Sequence, residues 1–556
     1  MFMAKLTVSN HHSVLSFAGE EWSRLLKISG VNMNKRFDNV WIGTWEELKA
    51  CRSQLLPENI GFEWKVSGSS SGSSYSDEFV IIETEDMVAL AGKSERAALY
   101  AVYQYAQEAW GLHAVYPVAE PAIAHTESFA NHQSLSNSNS TMEQIRWYAP
   151  RMERRGFVIE TINDPPYLIA MLDWLAKNKI NEIFFTFILW DLVGGIIASE
   201  ITKRGIMVTL GGHSMKFLLN KENNTPIIEA DHPYTAKAQL NFQDNEWQAP
   251  LLQDIAAYCR NVPNLTRISL WPEDIADRQT AGFLTHYIQF TERLHAYLHD
   301  NKLEVAVEHI AYNAGLAWNM LECETKPSTD VDTLFAYWGR DYQYGYEDTP
   351  HESDHRARAA FEDWTCELKQ TECKLTIFEY YSDHYMLTNL FPFLPQRILK
   401  DVAYYEAHDI FGMVNLVVPY RGPDPYPWKW VHGFNSFVFC RAMWSNDLVE
   451  ILNDYYAHYP DTERAQVKAL FEVIEAKLAG MTYWNIPLFP ARVVDENARA
   501  SLEQKEKIVA ALADIISCIR AFLSQQSELT PNSKPFLYAQ HIIDYSEMLY
   551  QRWLVQ

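Results

Sequence analysis

Between Arg155 and Val418 the chain repeats one pattern: a short run rich in Val, Ile, Phe and Tyr, a polar break, then a stretch with apolar residues at helical spacing. The strand-like runs are "RGFVIE", "NEIFFTF", "IMVTLGG", "RISLWP", "EVAVEHI", "DTLFAYWG", "KLTIFEYY" and "FGMVNLVV". Amphipathic segments such as "PPYLIAMLDWLAKNKI" and "LPQRILKDVAYYEAHDI" fit between most of them. Strands that alternate with helices pair in parallel, and eight such units close into a (β/α)8 barrel of the TIM type. The expected fold class is therefore α/β, with the barrel over residues 145–435.

The flanks read differently. Residues 1–130 form a small α/β unit: "FDNVWIG" is a strand, "EFVIIET" and "MVALAG" are paired strands, and "SERAALYAVYQYAQEAWG" is a helix capped by Ser94 and stopped by Gly111. The polar stretch "NHQSLSNSNST", Asn131 to Thr141, is a linker. Residues 436–556 carry mostly helical periodicity and read as a C-terminal helical domain, either a support for the barrel or a contact in a homo-oligomer.

In a parallel barrel the chemistry gathers at the C-terminal ends of the strands. Those positions hold Glu160, His213, Trp271, Glu273, Asp274, Glu308, His309, Trp338, Arg340, Asp341, Glu379, Tyr380, Tyr381, Arg421 and Trp430. Cleavage of a glycosidic bond needs one carboxylic acid to protonate the leaving oxygen and a second carboxylate to activate water or attack carbon. Glu273, two residues beyond Trp271, suits the acid, and like-charge repulsion from Asp274 favours its neutral form. Glu379 with Asp341 is the expected base or nucleophile. His213, Arg340, Tyr381 and Arg421 would bind the terminal sugar, with Glu160, Glu308 and His309 beside them and Trp271 and Trp430 as walls. Two arginines make a carboxylated sugar one candidate. Plainer roles exist for the same residues: Glu273 and Asp274 as helix caps, Arg340 and Asp341 as a structural ion pair.

Composition narrows the classes. There are 71 acidic against 47 basic residues, a net charge of −24 that disfavours nucleic acid. With 18 Trp and 30 Tyr the chain has enough aromatic surface to line a sugar cleft as well as a core. Seven Cys without a C-x-x-C pair make neither a metal ribbon nor a disulfide scaffold. "HESDH", His351 to His355, matches the letters of H-E-x-x-H but lies in a polar loop, so no metal or cofactor is expected. The N-terminus lacks an apolar h-region and no later stretch reads as a membrane span, which makes the chain cytoplasmic in this reading, with a glycoside as its partner.

The stretch "FVIIETEDMVALAGKSERAALYAVYQYAQEAWGLHAVYP" resembles the N-terminal domain that precedes the barrel in α-glucuronidases and β-N-acetylhexosaminidases, with Gly92, Ser94, Arg96, Tyr100 and Tyr103 in the matching places. "GGHSM", "LWPED" and "FEYY" resemble a bacterial family of unknown function that carries an α-glucuronidase-like N-terminal domain; the similarity covers most of residues 36–435. The resemblance implies a glycoside hydrolase. The order of Glu273, Asp341 and Glu379 is similar to that of the α-glucuronidase acid and its water-activating pair. Hexosaminidases place Asp before Glu after strand four, whereas here Glu273 precedes Asp274. Substrate-assisted hexosaminidase chemistry, with Asp274 positioning the acetamido group, is the second enzyme reading. A non-catalytic glycan-binding barrel is the third.

Overall fold

The computed structural model describes residues 5–10, 12–30, 38–55, 75–115, 117, 122–123, 144–222, 240–272, 282–314, 325–383, 387, 390–418, 431–478, 502–525 and 533–555. A five-stranded mixed sheet comes first. Strand β1 (Lys5–Val8) lies parallel to β2 (Asn39–Thr44), and β2 parallel to β4 (Met87–Gly92). Strand β3 (Phe79–Glu83) runs antiparallel to β4. A two-residue ribbon, β5 (Leu112–His113) with β6 (Ala122–Ile123), comes next. Strand β7 (Gln144–Tyr148) then returns to the far side of β3, at the junction between the two expected segments. Every residue of β3 and β4 is buried, because helices cover one face and the Trp41–Trp45–Trp147 cluster the other. The helix Glu95–Trp110 starts and stops as expected: the Ser94 hydroxyl accepts from Ala97 N at 3.2 Å, and Gly111 closes it at φ +64.

One buried carboxylate ties this sheet unit to the first barrel strand. Asp77 accepts from Arg96 Nε at 2.9 Å and Asn181 Nδ2 at 2.8 Å, and pairs with Arg155. Burial pushes its carboxyl up, but the guanidiniums of Arg96 and Arg155 outweigh that and hold it below the ordinary Asp value. A depressed folded pKa contributes stability that is present above the unfolded value and lost as pH falls through the folded one. Asp77→Asn is accordingly expected to lower Tm at neutral pH and to shrink that loss toward acid pH. Thermal unfolding across an acid pH series would show it.

The eight expected strands all form. They are β8 (Arg154–Ile159), β9 (Glu182–Thr186), β10 (Met207–Gly212), β11 (Leu265–Leu270), β12 (Ala306–Ala314), β13 (Asp332–Trp338), β14 (Leu375–Asp383) and β15 (Gly412–Val418). Each is parallel to its neighbours, and β15 pairs with β8 to close the barrel. Strands β10 and β11 approach closely: a Cβ on Gly211 would stand 1.7 Å from the Ser269 carbonyl oxygen, so only glycine fits there.

The N-terminal end of the barrel is filled by ions. Arg154 donates from Nε and Nη2 to Glu182 at 2.8 and 2.7 Å and from Nη1 to Glu308 at 2.6 Å. Its Nη1 also reaches Thr376 Oγ1 at 3.1 Å, and Thr209 Oγ1 donates to Glu182 at 2.9 Å. Arg267 lies 3.4 Å from Glu308 and donates to Asp332 at 2.5 Å. Glu308 is thus fixed in the bottom layer, which corrects its expected place at the mouth.

Beyond the barrel, helices Val431–Ala442, Leu448–Tyr456, Asp461–Leu478, Leu502–Gln525 and Lys534–Val555 form the C-terminal part. One sequence expectation changes here. The segment Lys505–Gln525 is long and apolar enough, by length and composition, to cross a membrane. In the fold it packs through Ile508, Leu512, Ile515 and Ile519.

Candidate active site

Side chains alternate across a barrel wall, so one known contact sets the direction of a whole strand. In β14, Thr376 meets Arg154 inside the barrel. Phe378 and Tyr380 share that face, and Phe378 touches the Trp271 ring at 5.3 Å between centroids. In β13, Phe335 and Tyr337 face outward onto Phe361 and Asp354 of the helix Glu352–Leu368, which turns Trp338 inward.

The inner face at the C-terminal end therefore collects Trp271, His213, Trp338, Tyr380, Glu160 and Asp383. Trp271 packs on Phe184 from β9 at 5.2 Å and donates Nε1–H to Ser269 Oγ at 3.0 Å. The His213 ring stands edge-on to Trp271 at 5.3 Å. Its Nδ1 lies 2.5 Å from the Pro272 carbonyl, which can only accept, so the proton sits on Nδ1. Glu160 Oε1 lies 3.5 Å from where a Cβ on Gly212 would sit; Gly212, at φ +66, leaves that space to the carboxylate. Trp338 Nε1–H donates to Asp383 Oδ2 at 3.0 Å. Asp341, in the loop after β13, accepts from the Gln343 amide at 2.9 Å and from His351 Nε2 at 2.9 Å.

Three expected site residues do meet, but behind the wall. Glu379 sits on the outward face of β14 and is 3% exposed. Arg340 Nη1 donates to it at 3.1 Å, Tyr342 hydroxyl at 2.6 Å and Tyr405 hydroxyl at 2.5 Å. Arg340 also forks onto Asp401 of the helix Pro395–Ala407 at 3.0 and 2.7 Å, and Tyr381 donates to the same carboxylate at 2.9 Å. Burial pushes the Glu379 carboxyl up; the Asp401 charge adds to this and Arg340 only partly offsets it. Glu379, Arg340 and Tyr381 are corrected on this geometry: they lock β14 to its helix, with no face toward the barrel interior. His309 is corrected likewise. It faces outward between Thr333, 3.1 Å away, and the Trp364 ring, and burial pushes its imidazole down to about 4. Glu273, Asp274, Arg421 and Trp430 lie outside the described residues.

No family model matches the chain, and no curated protein matches it. Solved structures do. It is similar to a GH138 enzyme targeting pectin rhamnogalacturonan II, with a TM-score of 0.54 and 13% identity, over 99% of this chain and 69% of that one. It is also similar to CpGH84B with a TM-score of 0.50 and 9% identity, over 100% of this chain and 88% of that one. The shared property is the fold, a closed eight-stranded parallel barrel with a small sheet unit before it and helices after it.

Chemically, the mouth offers two inward carboxylates, Glu160 and Asp383, against indole and phenol rings that can take the apolar face of a sugar. A carboxyl such as Asp383, 1% exposed and hydrogen-bonded by an indole N–H, is held in one orientation. The sequence reading missed Asp383. The signal that finds it is a register shift in β14 between Glu379 and Ser382, where Tyr381 and Ser382 both turn outward and Asp383 comes back in.

Proposed function

We propose that the chain is an exo-acting glycoside hydrolase whose pocket is the C-terminal mouth of the barrel. Glu273 is the general acid. Asp383 takes the base or nucleophile role expected of Glu379 from the sequence. Asp341, held by His351, is the third carboxylate of this reading. The observation that carries this reading is the convergence of Trp271, His213, Trp338 and the buried Asp383 on one mouth, with Glu273 and Asp274 following directly on Pro272 in the chain. The likeness in fold to glycoside hydrolases supports it. A uronide is one candidate sugar, now leaning on Arg421, because the Arg340 guanidinium is committed to Asp401 and Glu379.

Turnover of aryl uronides, N-acetylhexosaminides and neutral glycosides by wild type, Glu273→Gln and Asp383→Asn tests the assignment. Loss of an acid or nucleophile is expected to cost roughly 10²–10⁴-fold in kcat/KM. Low-pKa leaving groups should partly rescue Glu273→Gln and leave Asp383→Asn unrescued. Turnover confined to N-acetylhexosaminides would select the substrate-assisted reading. Sugar binding without turnover, unchanged in Glu273→Gln, would replace both with a glycan-binding protein.

A further inference from the structure

The helix Leu502–Gln525 has the composition of a buried helix and the burial of a surface one. It is long and apolar enough to match a membrane span, yet only 22% of its most apolar stretch is buried. Ile508, Leu512, Ile515 and Ile519 form its inner seam, in a bundle with the helices Asp461–Leu478 and Lys534–Val555. The outer face is exposed at Ala510, Ala513, Asp514, Ser517, Arg520, Ala521 and Ser524.

Those positions stand three, four and seven residues to either side of Ser517, which is helical spacing in both directions. In size the face reads the same from either end: Ala510 answers Ser524, and Ala513 answers Ala521. In charge it is inverted, with Asp514 answering Arg520. A two-fold axis through Ser517 requires this pattern, because an antiparallel copy then sets each residue against its counterpart. The flanking ion pairs extend it. Lys477, from the helix Asp461–Leu478, donates to Asp514 at 2.7 Å, and Arg520 pairs with Glu547 of the helix Lys534–Val555. Across the axis the row would run Lys477, Asp514, then Arg520 and Glu547 of the second copy, with charges alternating throughout. Small side chains also let two helix axes approach to about 8 Å. A helix that lies on a bilayer presents large apolar residues instead. Here Leu512 is buried, and Phe522 and Leu523 are half-buried at the sides.

We propose that the outer face of Leu502–Gln525 docks antiparallel on the same face of a second copy of this chain, forming a symmetric homodimer with Ser517 on the two-fold axis. The seam is short beside the interfaces of permanent dimers, so the dimer is a weak one, with a Kd in the micromolar range. The contact is independent of the proposed sugar chemistry, and its test does not pass through turnover.

Sedimentation equilibrium of the full chain, from about 1 to 200 µM, should show monomer giving way to dimer. Asp514→Arg sets like charges face to face across the axis and should weaken the dimer roughly tenfold; adding Arg520→Asp should restore it. In a Cys518→Ser background, mild oxidation should crosslink Ser517→Cys to its own copy and leave Ala510→Cys uncrosslinked, because only a residue on the axis meets itself. A wild-type chain that stays monomeric across the range overturns the proposal. So does a dimer that Asp514→Arg leaves unchanged, which would place the contact on another face, and so does a double variant no tighter than the single one. Crosslinking through Ala510→Cys and not Ser517→Cys would overturn the axis. A monomeric chain that sediments with phosphatidylcholine vesicles would assign the face to a lipid surface and overturn the proposal too.

Discussion

Arg154→Met is expected to lower Tm by roughly 5 °C or to abolish soluble expression. The side chain lies inside the barrel with two carboxylates on its guanidinium, and both are buried. Removing it leaves Glu182 with the hydroxyl of Thr209 and no cation bonded to it, and Glu308 with Arg267, at 3.4 Å, and the Ser269 hydroxyl. Breaking a buried pair in this way costs about 3–5 kcal/mol, a large share of the roughly 5–15 kcal/mol by which domains are stable. Burial pushes the Glu308 carboxyl up, but Arg154 and Arg267 hold it below the ordinary Glu value, so its contribution is lost as pH falls through that depressed value. Adding Glu182→Gln to the variant should restore part of the loss, because the orphaned charge is then gone. Chemical denaturation of the two single variants and the double variant measures the coupling. Simple additivity would mean that Arg154 and Glu182 do not act as a pair.

The second large effect separates structure from chemistry. Glu379→Gln should keep kcat/KM within about threefold of wild type, whereas Arg340→Met should cost about 3 kcal/mol of stability. Glutamine keeps the shape: its amide oxygen can accept from one of Tyr342 and Tyr405, which donate to different carboxylate oxygens, and its NH2 can donate to the other hydroxyl. Methionine strips Asp401 of its two-pronged partner, leaving Arg397 at 2.7 Å, and leaves Glu379 with hydroxyls alone. Because the folded Glu379 carboxyl is raised above 4.5, the native state holds the proton longer, and stability declines as pH rises from the unfolded toward the folded value. Without Arg340 the folded value climbs further, so the decline in the variant should extend to higher pH. Urea titrations across mildly acidic to neutral pH would show it. A collapse of turnover in Glu379→Gln, with stability intact, would return that residue to the chemistry and defeat the placement argued from β14.

The barrel was legible in the sequence because buried parallel strands are written as near-continuous Val, Ile and Phe runs, and eight of them stood between helical segments. The site was legible only in part. Glu379 and His309 lie near strand ends, but position along a strand does not say which face of the wall a side chain takes. Thr376, Phe378 and Tyr380 share one parity and Ile377 and Glu379 the other, so the inward set was readable in principle. Glu308 points inward but sits low, opposite Asp332 at the start of β13, because β12 runs on to Ala314. Arg340 could not be read at all. Gly339, at φ +104, redirects the chain just before it, and no periodicity announces such a turn. Trp271 and His213, each just past a strand end, do lie together at the C-terminal end of the barrel.

The extra residue in β14 also bears on how this chain can diverge. Substitutions at Tyr381 or Ser382 would alter contacts with Asp401 or Ser436. Loss of one residue between Glu379 and Asp383 would do something different: it would rotate Asp383 out of the barrel and break its bond to Trp338. Relatives that retain the site should therefore vary in letters across this stretch while keeping its length, and a gap there would mark a lineage that has given up the pocket.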